Sequence, residues 1–86
     1  MTMYVYFIMA GNKKAIKIGH AVNVDRRLKE LRIGNHLELA LIASLKCDNK
    51  AHAITLEKKF HRLFSNQHIR GEWFSGNINL NNLKTD

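Results

Sequence analysis

The segment Met3 to Ala10 reads MYVYFIMA, and it is apolar at odd and even positions alike. A strand with one wet face alternates apolar and polar residues, whereas a strand covered on both faces does not. The β-branched and aromatic residues in this segment favour an extended backbone. It therefore reads as a central strand. Gly11-Asn12-Lys13-Lys14 is a turn signal, and Ala15 to Gly19 (AIKIG) is a second strand, so the two form a hairpin. Centring the loop on Asn12-Lys13 sets Ala10 opposite Ala15, Ile8 opposite Lys17 and Tyr6 opposite Gly19. Directly opposed residues share a face, so Tyr6 and Lys17 project from the same side, one diagonal step apart.

The remaining chain alternates in period. His20 to Val22 leads into a helix with Asn23 as N-cap and Gly34 as C-cap. Leu39 to Lys46 (LALIASLK) is a third strand. Asp48 or Asn49 caps a second helix, Ala51 to Phe64. Ser65 to Gly71 is a polar loop before Glu72-Trp73-Phe74, and Ile78, Leu80 and Leu83 in the tail are spaced to pack as a short helix. The order ββαβα describes an α+β fold, a three-stranded antiparallel sheet flanked by helices, as one domain over residues 1–86.

Two charges interrupt the apolar stripes of these helices. Val24, Leu28 and Leu31 define the first stripe, and Arg27 falls within it. Ala53, Leu56, Phe60, Leu63 and Phe64 define the second, and Glu57 lies in its middle. A charge facing a core is costly unless it is paired or used. Opposite charges on separate helices fit either an ion pair at the core edge or one shared site.

Composition narrows the partner. Fourteen Lys and Arg against seven Asp and Glu give a formal charge of +7, which suits a polyanion, nucleic acid before an anionic membrane. Cys47 is the single cysteine, so neither a disulfide framework nor a cysteine-based zinc site is expected, and a reducing cytoplasmic setting is. Val5 to Ala10 is too short to span a bilayer, and no basic residue precedes it as in a signal peptide. Lys13 and Lys14 at the hairpin tip, Arg26, Lys29 and Arg32 on the first helix, Lys58, Lys59 and Arg62 on the second, and Arg70 in the late loop make up the basic surface. Lys29 and Lys59 fit an ordinary solvated face; Lys13, Lys14, Arg26, Arg32, Lys58, Arg62 and Arg70 are the expected phosphate contacts.

Tyr4-Val5-Tyr6-Phe7-Ile8, then Ile16-Lys17-Ile18-Gly19, then Asn23 to Leu28 resemble the GIY-YIG nuclease superfamily in order and spacing. The resemblance covers residues 3–74, and the Gly71-Glu72-Trp73-Phe74 ending is similar to that of a compact, phage-associated branch. Tyr4 stands in place of the first motif glycine and Lys17 in place of the second motif tyrosine. Restriction enzymes of the superfamily are similar in carrying lysine there, with a histidine three residues on, which matches His20. The resemblance implies catalytic roles for Tyr6, Lys17, His20, Arg27 and Glu57, with Glu57 as the ligand of Mg²⁺ or Mn²⁺; Asn77 is the nearest counterpart of the family's late asparagine. A carboxylate suits such hard cations, an arginine can grip a phosphate, and Tyr6 or Lys17 could position or deprotonate the attacking water if its pKa were lowered. His20 could hydrogen-bond a phosphate or relay a proton. His61, one helical turn after Glu57, is expected to support it or to pack near Trp73; Glu72 is expected to be structural, and His36, His52 and His68 to lie on the surface.

The implied activity is metal-dependent endonucleolytic hydrolysis of DNA in a bacterial or phage-infected cell, by a monomer or weak dimer with no membrane partner. RNA as substrate, an inactive nucleic-acid-binding module of the same fold, and a small inhibitor or structural partner of another protein stay open beside it.

Overall fold

A computed structural model of the chain describes residues 2–11, 14–33, 38–78 and 80. Strand β1 spans Met3–Ala10, β2 Ala15–Ala21 and β3 Leu39–Cys47; helix α1 spans Val24–Arg32 and α2 Lys50–Leu63. A 3₁₀ turn, Ser65–Gln67, then leads into two short strands, β4 His68–Arg70 and β5 Trp73–Ser75. The sheet is antiparallel, with strand order β3-β1-β2-β5-β4. Among the described residues it has five strands rather than the expected three. The polar loop is in part a strand, because His68 and Arg70 pair with the Trp73–Phe74 segment, which itself pairs with β2.

The hairpin register is the expected one: Ala10 opposes Ala15, Ile8 opposes Lys17 and Tyr6 opposes Gly19. Gly11 opens the turn at φ 62°, a left-handed conformation that glycine adopts without a Cβ penalty. Asn12 and Lys13, at the centre of the expected turn, lie outside the described residues.

Alternation along β1 separates two cores. Val5 and Phe7 join Ile16 and Ile18 of β2 and Ala53, Leu56 and Phe60 of α2. Tyr6, Ile8 and Ala10 join Leu28 of α1 and Leu39 of β3. Successive strand residues point to opposite faces, so α1 and α2 cover opposite sides of the sheet. This is why β1 is apolar throughout. Phe7 and Phe60 meet edge to face, with ring centroids 5.1 Å apart.

Asparagine starts both helices. Asn23 Oδ1 accepts from the Arg26 amide at 3.0 Å, and Asn49 Oδ1 from the His52 amide at 2.9 Å. Ile33 is the C-cap residue of α1; Gly34, expected in that role, is outside the described residues. Leu63, expected in the α2 stripe, is 60% exposed, because the helix ends there and Phe64 turns inward in its place. Ile78 is buried against the α2-side core, with Leu80 packed on it; Leu83 lies outside the described residues. Among the described residues no helix is long and apolar enough to cross a membrane.

Candidate active site at the edge of the second strand

Gly19 is the floor of the site. A Cβ on it would lie 2.5 Å from the Tyr6 hydroxyl oxygen, 2.7 Å from Tyr6 Cζ and 3.0 Å from Glu72 Oε1. The phenol of Tyr6 and the carboxylate of Glu72 thus share the space that a side chain at position 19 would fill. Lys17, two residues earlier on the same face, places Nζ 3.0 Å from Glu72 Oε1 and 5.5 Å from the centre of the Trp73 ring. Tyr6 and Lys17 do project together, as the register requires.

Arg27 completes this face. Its guanidinium reaches Glu30 Oε1 at 3.4 Å, and its charge also acts on the Tyr6 phenol. The Glu30 contact is an exposed pair one helical turn away and adds little stability. Arg27 lies on the side of α1 that packs toward Tyr6, which is 1% exposed. No Arg27–Glu57 ion pair forms among the described residues, so that reading of the two interrupted stripes is not the one realised.

Glu57 instead meets histidines. His20 Nδ1 lies 2.7 Å from Glu57 Oε1, and His61 Nε2 lies 3.7 Å from Glu57 Oε2. A carboxylate only accepts, so His20 Nδ1 donates; in the neutral ring, Nε2 keeps a free lone pair. His61 Nε2 donates to the Ile18 carbonyl at 2.9 Å, and its ring sits edge-on to Phe74 at 4.9 Å. His61 therefore both supports Glu57 and packs in the Trp73–Phe74 region.

His20 opposes Val5 and so belongs to the α2 side, whereas Tyr6, Lys17 and Arg27 belong to the α1 side. The two sets approach each other because β5 pairs with β2 only over Ala15–Lys17. One further bond, from the Ile18 amide to the Glu72 carbonyl at 2.9 Å, ends the contact, and among the described residues no strand pairs with the β2 edge beyond it. Tyr6 registers both sides. Burial pushes its phenol above the ordinary value of 10.0; the Arg27 guanidinium works against this, and the charges of Glu72 and Glu57 add to it. Raised in this way, the phenol keeps its proton through neutral pH.

Glu72, expected to be structural, forms an ion pair with Lys17 that the sequence did not point to. Its place depends on the β4–β5 turn folding back on β2, a contact invisible to local periodicity. The available signal was its position next to Trp73 in the Gly-Glu-Trp-Phe run.

Among the described residues no three His, Cys, Asp or Glu side chains are grouped to cage a metal ion. Glu57 is one carboxylate, 13% exposed, with its oxygens facing two imidazoles. One carboxylate is a donor set that fits a hydrated Mg²⁺ or Mn²⁺ completing its shell with water and phosphate, and it does not fit a tetrahedral zinc site.

Of the basic residues, Lys14, Arg26, Lys58, Arg62 and Arg70 are exposed. Arg32 is also exposed but donates to the Leu39 carbonyl at 3.0 Å, tying α1 to β3. Lys13 and His36 are outside the described residues. His52 and His68 are on the surface, His68 donating to the Gly71 carbonyl at 2.8 Å. Asn77 is exposed at the end of β5.

A family model described as the T5orf172 domain matches residues 3–85. No curated protein and no solved structure matches the chain. The chain belongs to the T5orf172 domain family, a phage-associated domain related to GIY-YIG and HNH nucleases.

Proposed function

We propose that this T5orf172 domain is a metal-dependent endonuclease of GIY-YIG type that hydrolyses DNA phosphodiester bonds at the edge of β2. The observation that carries the reading is the gathering at the β2 edge of the Tyr6 hydroxyl and the Lys17–Glu72 pair over Gly19, next to the His20–Glu57 pair, in a chain of net charge +7.

Phosphodiester hydrolysis needs an oriented water, compensation for charge growing on the non-bridging oxygens, and relief of charge on the departing oxygen. Arg27 can turn its fork toward a phosphate, and the protonated Tyr6 hydroxyl can donate to one of the same oxygens. Lys17 adds a fixed positive charge on the same face. His20, with Nδ1 committed to Glu57, has Nε2 free to hydrogen-bond the attacking water. Glu57 is the residue that would hold Mg²⁺ or Mn²⁺, which when bound supplies positive charge at the scissile phosphate. Lys14, Arg26, Lys58, Arg62 and Arg70 would bind flanking phosphates without reading sequence.

Wild-type protein and Glu57→Ala, incubated with supercoiled plasmid, single-stranded DNA or RNA in Mg²⁺, Mn²⁺ or EDTA, test the reading. Metal-dependent nicking of DNA that the variant loses is the expected result. Intact substrate throughout, with equal binding by both proteins, would reduce the domain to a nucleic-acid-binding module.

A further inference from the structure

We infer that Glu72 is a positioning residue for Lys17, holding its ammonium beside the Tyr6 hydroxyl where the scissile phosphate binds; this rests on the nuclease reading above. The Lys17 side chain is only 11% exposed. An ammonium that far from water needs a counter-charge. Glu72 Oε1, 3.0 Å from Nζ, supplies it, and the Trp73 ring flanks the same nitrogen at 5.5 Å.

Glu72 is itself held from two sides. Its carbonyl accepts from the Ile18 amide at 2.9 Å, which pins its backbone to β2. The preceding Gly71 takes φ 53°, and this left-handed residue lets the chain turn back so that Glu72 faces the sheet. The carboxylate then lies over Gly19, the one place where the missing Cβ leaves room for it beside the Tyr6 phenol. Glu72 is 37% exposed, so it borders solvent on the side from which a phosphate would approach. Without the carboxylate, the flexible lysine stem can carry its charge out to water, away from Tyr6. The pair therefore fixes where a positive charge sits, rather than adding to the basic surface.

The test is single-turnover plasmid nicking, with oligonucleotide affinity in EDTA measured alongside. Glu72→Gln keeps the shape and removes the charge. It is expected to slow nicking by at least about tenfold and to leave affinity unchanged, since exposed cations supply the affinity. Glu72→Asp keeps the charge with a shorter reach and is expected to fall between, which separates positioning from folding. In a Lys17→Met background, Glu72→Gln is expected to cause no further loss, because the group it positions is gone. Full nicking by Glu72→Gln, faster nicking by it, or losses that multiply in the double variant would each overturn the inference while leaving the nuclease reading intact. A wild-type protein that never nicks would overturn both.

Discussion

Gly19→Ala replaces one hydrogen by a methyl at the floor of the site, and its cost follows from three distances. The new carbon would meet Tyr6 Oη at 2.5 Å, Cζ at 2.7 Å and Glu72 Oε1 at 3.0 Å. Glu72 is the end of a flexible chain and can retreat. Tyr6 cannot: it is 1% exposed and packed with Ile8, Ala10 and Leu28. Either β1 and β2 separate or the phenol shifts within its packed surroundings. Overpacking of this kind costs about 1–3 kcal/mol. The gain from replacing a strand glycine offsets only about 0.5–1 kcal/mol. A net loss of about 1 kcal/mol is expected, or about 5 °C in melting temperature for a domain of this size. Urea unfolding of the wild type, Gly19→Ala, Tyr6→Phe and the double variant measures it. Tyr6→Phe removes the atom at 2.5 Å and leaves Cζ at 2.7 Å, so the penalty at position 19 should shrink without vanishing. A Gly19→Ala protein as stable as the wild type, or more so, would refute the reasoning.

Two further outcomes are expected. The Tyr6 phenol is raised above 10.0 in the folded protein, so the folded state keeps a proton that the unfolded chain releases above that pH. Its contribution is fully present below pH 10.0 and is lost as pH rises through the higher folded value; unfolding measured from pH 9 to 11 (a range of about two units around the ordinary tyrosine pKa) should show a steeper alkaline loss in the wild type than in Tyr6→Phe. Removing one of the cations proposed to contact phosphate, such as Arg62 or Lys58, should reduce the slope of log affinity against log salt by about 1 without changing sequence preference; an unchanged slope would take that residue out of the interface.

How much of this was legible in the sequence depends on the range of the interactions. The β1–β2 register follows from a short turn and two patterned strands, so the pairing of Tyr6 with Gly19 and the shared face of Tyr6 and Lys17 could be read locally. Asn23 and Asn49 could be read as caps because capping is a contact over three residues. Strands β4 and β5 could not: each has three residues, too few for a period, and what makes them strands is the pairing of β5 with β2, far earlier in the chain, and of β4 with β5. The Lys17–Glu72 pair depends on that same pairing. Patterning marked Arg27 and Glu57 as unusual, but the two do not meet, since α1 and α2 sit on opposite faces: Glu57 pairs with His20, and Arg27 lies on the Tyr6 side. Periodicity within a helix finds a misplaced charge and is silent about which face of the sheet that helix will cover.

The convergence of two faces on one phosphate site is tested most directly by single-turnover nicking rates of the wild type, Arg27→Ala, Glu57→Ala and the double variant in Mg²⁺. Groups that act as a unit are not additive. The expected result is metal-dependent nicking by the wild type, severe loss in each single variant, and a double variant no slower than the worse single one. Losses that multiply, or a wild type that leaves the plasmid intact, would contradict a single shared site.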